Sequence, residues 1–115
     1  EARDRVAGHV AGAEQAGAHL VVDGRAQSFD TDGFFIGVSL VDHVVPGMAV
    51  YDEEIFGPVL CVVRVSTYEE AVRLVNSNQY ANGVALFTRD GRTAREFEVD
   101  IEVGMVSAPT AILKT

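Results

Sequence analysis

The stretch "PVLCVVRVSTYEEAVRLVNS", Pro58 to Ser77, decides the fold. Its first half is apolar and β-branched on both faces, the pattern of a strand covered on both sides of a sheet. Its second half changes period. Ala71, Leu74 and Val75 form a helical stripe, with Glu69, Arg73 and Asn76 expected to face water. Between the halves, Thr67 followed three residues later by Glu70 reads as a capping box, which satisfies backbone N–H groups that a first helical turn leaves unpaired. A buried strand followed at once by an amphipathic helix points to an α/β protein.

Working outward, "GVALFT" is a further apolar strand, and Asp90 stands at an N-cap position. Ala94, Phe97 and Ile101 give the stripe of a second helix running to about Val103, with Gly104 as its C-cap. "MVSA" reads as a short third strand. The result is a parallel β-α-β-α-β core built from right-handed crossovers. Upstream, Val6, Val10 and Ala13 recur at helical spacing between Asp4 and Gln15, predicting an N-terminal helix weakened by Gly8 and Gly12. Short strands follow. "HLVVDG" ends in an Asp-Gly turn, "FFIGVSLVDHVV" reads as two extended pieces bent at Gly37, and Pro46-Gly47 stops the run.

The chain has 115 residues, room for one domain or a piece of one. With 48% hydrophobic and 23% charged residues it can bury a core. Nine Lys and Arg against seventeen Asp and Glu give a formal charge of -8, which argues against nucleic acid or an anionic membrane as partner. Its apolar runs are too short to span a bilayer, so the expected location is cytoplasmic. The one cysteine, Cys61, forms no internal disulfide and fits a reducing compartment. The chain opens at Glu1 inside a helical pattern and closes on "TAILKT", so a fragment is expected.

Just before the buried strand lies "VYDEEIFGPV", in which Asp52, Glu53 and Glu54 run into an aromatic and a Gly-Pro break. From composition alone the three acids solubilise a loop. A carboxylate can also accept two hydrogen bonds at once, and so can hold both hydroxyls of a ribose cis-diol. An aromatic two residues on, on the same side of an extended segment, could then confine a ring attached to that sugar.

The phrase "DEEIFGPV" resembles the glutamate-bearing segment of the NAD(P)-dependent aldehyde dehydrogenase superfamily. "NQYANGVALFTRDG" and "EVGMV" are similar to its methylmalonate-semialdehyde dehydrogenase branch, which is CoA-acylating. The resemblance runs from about Gly17 to Val106. It implies that residues 1–115 are part of the catalytic domain, with the N-terminal NAD-binding domain and the catalytic cysteine absent. It also implies that Glu54 hydrogen-bonds the nicotinamide-ribose hydroxyls, that Phe56 packs near the nicotinamide, and that Asp52 and Glu53 are solvated neighbours. Gly57 lets the backbone pass closely, and Pro58 stiffens the turn into the strand. By the resemblance, the parent oxidises methylmalonate or malonate semialdehyde with NAD and passes the acyl group to CoA. It would be a homo-oligomer when complete, and the isolated chain would be inactive. A non-acylating aldehyde dehydrogenase fragment and a noncatalytic assembly or binding module are the alternatives.

Other candidates carry less. Cys61 lies among Val and Leu, where burial leaves a thiol inert, so a packing role is expected. His9, His19 and His43 are scattered and predict no metal site or triad, only surface or strand-end positions. Asn82-Gly83 reads as a turn near Tyr80. Arg89, Arg92 and Arg95 could meet a CoA phosphate, but salt bridges to Glu96 or Glu98 are the safer reading. "GVS" at Gly37 to Ser39 stands where Gly-Pro-Thr is usual in the family, and "SAPTAILKT" departs from its pattern after Val106.

Overall fold

The N-terminal helix forms as its apolar spacing predicts. In the computed structural model, which describes residues 1–80 and 82–107, α1 spans Ala2–Gln15 and buries Val6, Val10 and Ala13. Two units are present, Glu1–Arg64 and the residues from Val65 onward.

In the first unit, Gly17 takes a left-handed φ of 99° and releases the chain from α1 into β1, His19–Val22. A one-turn 3-10 helix, Gly24–Ala26, follows, its N-terminus capped by Asp23, whose carboxylate accepts the Arg25 amide. Strand β2, Ser39–Asp42, runs antiparallel to β1, and β3, Val59–Cys61, runs parallel to β2 with Ser39 opposite Val59 and Val41 opposite Cys61. Between them lies α2, Ala49–Asp52. The core joins Ala13, Ala18, Val41, Val44, Met48 and Val50. Fully burying a valine such as Val41 or Val44 contributes about 1.5–3 kcal/mol.

The break expected at Gly37 is present as chain outside any strand, ahead of β2, rather than as a bend between two strands, and a close approach holds it there. The Gly37 amide donates to the Gly24 carbonyl at 3.0 Å, while the Gly24 amide donates to the buried Ser39 hydroxyl at 3.0 Å. Only β2 of the expected pair of extended pieces is a strand, because this backbone-to-backbone contact takes the Gly37 amide out of any ladder.

In the second unit, α3 spans Tyr68–Ser77, β4 Gly83–Ala85, α4 Gly91–Asp100 and β5 Met105–Ser107. The Thr67 hydroxyl accepts the Glu70 amide at 3.2 Å, and the Glu70 carboxylate accepts the Ser66 amide at 3.0 Å, one residue upstream of the usual capping-box donor. Asp90 caps α4 by accepting the Arg92 and Thr93 amides. β4 and β5 pair in parallel across α4, with Gly83 opposite Met105.

The α/β class, the N-terminal helix and the short strands all stand, while some details differ. β3 pairs with β2, and β4 pairs with β5 in a second sheet, so the expected parallel β-α-β-α-β ladder is present in its β4-α4-β5 part. β3 is shorter than "PVLCVVRV" and leaves Leu60 62% exposed, because α1 is the only long helix that this unit supplies to its sheet. Asn76, expected to face water, is half-buried and its amide is engaged at both ends. Its amide nitrogen donates to the Asp100 carbonyl at 2.9 Å and its oxygen accepts the Glu102 amide at 2.9 Å. That bracket ends α4 at Asp100, short of Val103, and Ile101 rather than Gly104 is the C-cap. The divergent residues after Ser107 lie outside the described residues.

A candidate cofactor-binding loop

The loop before β3 is built from its turn outward. Gly47, at φ 94°, closes the Pro46-Gly47 turn, and its amide donates to Asp52 Oδ1 at 3.2 Å. The one-turn helix α2 is held by Tyr51 and Asp52 amides donating to the Met48 carbonyl, and Val50 anchors it in the core. Glu53 returns the chain to extended backbone. Ile55 packs against the core, and Gly57 lies against α1, where an added Cβ would stand 2.6 Å from Val6 Cγ2. The close passage expected of Gly57 is therefore made against a helix of this chain.

The three acids separate by their partners. Asp52 holds the Gly47 amide. Glu53 Oε2 lies 3.6 Å from His9 Nε2, an ion-pair distance for a protonated imidazole. Both are exposed, as expected of solvated neighbours, and each in addition has a partner in this unit. Glu54 is exposed and has no hydrogen-bond or ion-pair partner among the described residues, so its carboxylate is the acceptor left available.

Phe56 is 80% exposed and has a φ of 48°. The alternation argument that put Glu54 and Phe56 on one side of an extended segment does not hold, since left-handed backbone interrupts the strand geometry. A bulky residue there costs roughly 1–2 kcal/mol. Packing of Ile55 on one side and docking of Gly57 on the other fix it, and strain of this kind gathers at ligand-binding sites.

Sequence reasoning missed His9. Its side chain is 9% exposed, whereas His19 and His43 are at the surface as expected, His43 at the end of β2. The signal was present: His9 lies three residues after Val6, on the helix face that the apolar stripe marks as buried.

The remaining candidates are structural. Cys61 is half-buried, its Sγ donates to the Val50 carbonyl at 3.7 Å, and burial pushes its thiol pKa up. Cys61→Ala in the full-length protein should leave kcat within about twofold, since only a half-buried packing contact is lost. A steady-state assay checks this, and loss of turnover would make the thiol a participant. Asp42 is gripped by Arg64 through contacts of 2.6 and 3.0 Å, and the guanidinium holds its carboxyl down at about 2. Arg92 Nε donates to Glu96 Oε1 at 2.6 Å, the salt bridge foreseen for the arginine cluster. The Asn82 amide donates to the Tyr80 carbonyl at 2.7 Å. Among the described residues, no group of three or more His, Cys, Asp or Glu could hold a metal ion, and no helix is long and apolar enough to cross a membrane.

The model of the aldehyde dehydrogenase family matches residues 1–113. The chain belongs to the aldehyde dehydrogenase family. It is 53% identical over 107 residues to a malonate-semialdehyde dehydrogenase of Pseudomonas aeruginosa, covering 91% of this chain and 22% of that one. A mitochondrial acylating methylmalonate-semialdehyde/malonate-semialdehyde dehydrogenase of Bos taurus is 40% identical over 108 residues, 92% of this chain and 20% of that one. Among solved structures, a methylmalonate-semialdehyde dehydrogenase from Oceanimonas doudoroffii superposes with a TM-score of 0.88 at 50% identity, over 93% of this chain and 22% of that one. A structure from Sinorhizobium meliloti 1021, assigned to the same enzyme class and complexed with NAD, gives a TM-score of 0.90 at 47% identity, over 94% of this chain and 22% of that one. The chain thus spans about a fifth of the length of these aldehyde dehydrogenases.

Proposed function

We propose that residues 1–115 are part of the catalytic domain of an NAD-dependent, CoA-acylating dehydrogenase of methylmalonate or malonate semialdehyde, and that Glu54 and Phe56 are its contribution to the NAD site. The observation that carries the reading is the unpartnered Glu54 carboxylate two residues from the strained, exposed Phe56. The residues fit the cofactor. Glu54 has both oxygens available for the two hydroxyls of a ribose, and Phe56 presents an uncovered ring. Bound NAD supplies the hydride acceptor. The chain's own part is to hold the sugar through Glu54 and to restrict the neighbouring ring through Phe56, which raises the fraction of time spent in reactive geometry.

The nucleophilic cysteine and the NAD-binding domain belong, in this reading, to other parts of the full-length protein, and the isolated chain turns nothing over. Half-buried Cys61, with its raised pKa, is no substitute. Homo-oligomerisation and a cytoplasmic location complete the reading. Exposed Phe34, Leu60 and Val99 are apolar surface that the rest of the protein or another subunit would cover.

The test is turnover of methylmalonate and malonate semialdehyde by the full-length protein, followed by NADH absorbance and by mass spectrometry of the product. NADH should form only with NAD present, and propanoyl-CoA or acetyl-CoA should accumulate only with CoA, the substrate's carboxyl group leaving as carbon dioxide in equal amount. A free acid formed at the same rate without CoA would overturn the acylating part. NADH formed by the 115-residue chain alone would overturn the fragment reading.

A further inference from the structure

The loop that carries Glu54 touches α1 on both sides of that residue. Upstream, Glu53 meets the nine-tenths buried His9. Downstream, Gly57 lies on Val6 so closely that no side chain fits between them. Val6 and His9 are three residues apart on one helix and so share a face, one turn of α1. Between these contacts, Ile55 is packed against the core, and Glu54 and Phe56 are the exposed residues. The short span between them can move only as far as its two ends allow.

We infer that His9 is a positioning residue for the NAD site: through Glu53 it fixes the backbone from which Glu54 reaches the ribose, and α1 is the platform of the cofactor loop. This rests on the assignment of Glu54 to NAD. The imidazole is too deeply placed to serve as a solvated surface group, and its polar edge faces the one acid adjacent to Glu54. Removing either partner loosens the upstream end, where the Glu53 amide still donates to the Ala49 carbonyl at 3.0 Å, while the Gly57 contact remains. The loop then samples conformations in which Glu54 misses the sugar, and NAD binding loses the corresponding entropy.

The test measures KM for NAD and kcat at saturating semialdehyde in the full-length protein, for His9→Ala, Glu53→Ala and the double variant, each with and without Glu54→Gln. Each single variant should raise KM for NAD about fivefold with kcat within about twofold, and the double variant should do no worse than the worse single. His9→Gln, which keeps a donor at similar reach, should restore KM to within about twofold of the parent. With Glu54→Gln in place, the His9 and Glu53 changes should fall below about 1.5-fold, because nothing remains for them to aim. If His9→Ala does not fold, the exposed Glu53 carries the comparison. Unchanged KM in the singles, additive effects in the double, or effects that persist beside Glu54→Gln would each overturn the inference. Should Glu54→Gln itself leave KM for NAD unchanged, the NAD assignment fails and the inference with it. Should Glu54→Gln raise KM while the His9 and Glu53 variants do not, the inference alone fails.

Discussion

Glu54→Gln in the full-length protein is expected to raise KM for NAD by about 10- to 100-fold, with a smaller effect on semialdehyde KM at saturating NAD. The reason is local. A carboxylate accepts both hydrogen bonds of a cis-diol as charge-assisted bonds, each contributing roughly 1.5–3 kcal/mol, whereas the glutamine amide offers one neutral acceptor and turns a donor toward the second hydroxyl. Losing about 1.4–2.8 kcal/mol corresponds to the stated range. Glu54 has no partner among the described residues, so the substitution breaks no internal bond, and the unfolding temperature should stay put. Steady-state kinetics in NAD together with a thermal melt check both parts. An unchanged KM removes Glu54 from the cofactor site; a large drop in melting temperature would show a structural role instead.

The second large effect is on stability. Gly24→Ala should destabilise the protein by about 3 kcal/mol or more. A Cβ at Gly24 would lie 2.0 Å from the Gly37 carbonyl oxygen and 2.3 Å from its carbon, backbone atoms that no side-chain rotation can move. Relief requires the two segments to separate, and separation breaks the Gly37-to-Gly24 hydrogen bond and the bond from the Gly24 amide to the buried Ser39 hydroxyl. Gly8→Ala is the control. An added Cβ there meets nothing within 4 Å, and alanine in an exposed helical position should stabilise by about 0.5–1 kcal/mol. Chemical denaturation of the full-length variants checks the pair. Equal stability of Gly24→Ala and the parent would mean that these segments are not in contact.

Much of this was legible in the residues, for physical reasons that differ by element. The stripes on α1 and α4 and the caps at Thr67 and Asp90 are local chemistry, set by side chains within a few positions, and the structure has them where the pattern put them. Strand partners were not legible. β3 is equally apolar whether its neighbour is β2 or β4, and nothing in "VLC" distinguishes them. The one-turn α2 is too short to show a period, and so the acid stretch read as extended. Glu54 was separable from Asp52 and Glu53 only by family resemblance. The structure adds an independent reason, since the other two acids have partners on Gly47 and His9. The left-handed backbone at Phe56 had no signal at all, because aromatic residues rarely adopt it.

The Asn76 bracket has an evolutionary corollary. One amide grips the final carbonyl of α4 and a nitrogen two residues later, so an insertion or deletion at Ile101 would unfasten both at once. Homologous sequences that differ in length within this unit should therefore absorb the difference at 86–89, ahead of the helix, while the spacing from Asp100 to Glu102 stays constant.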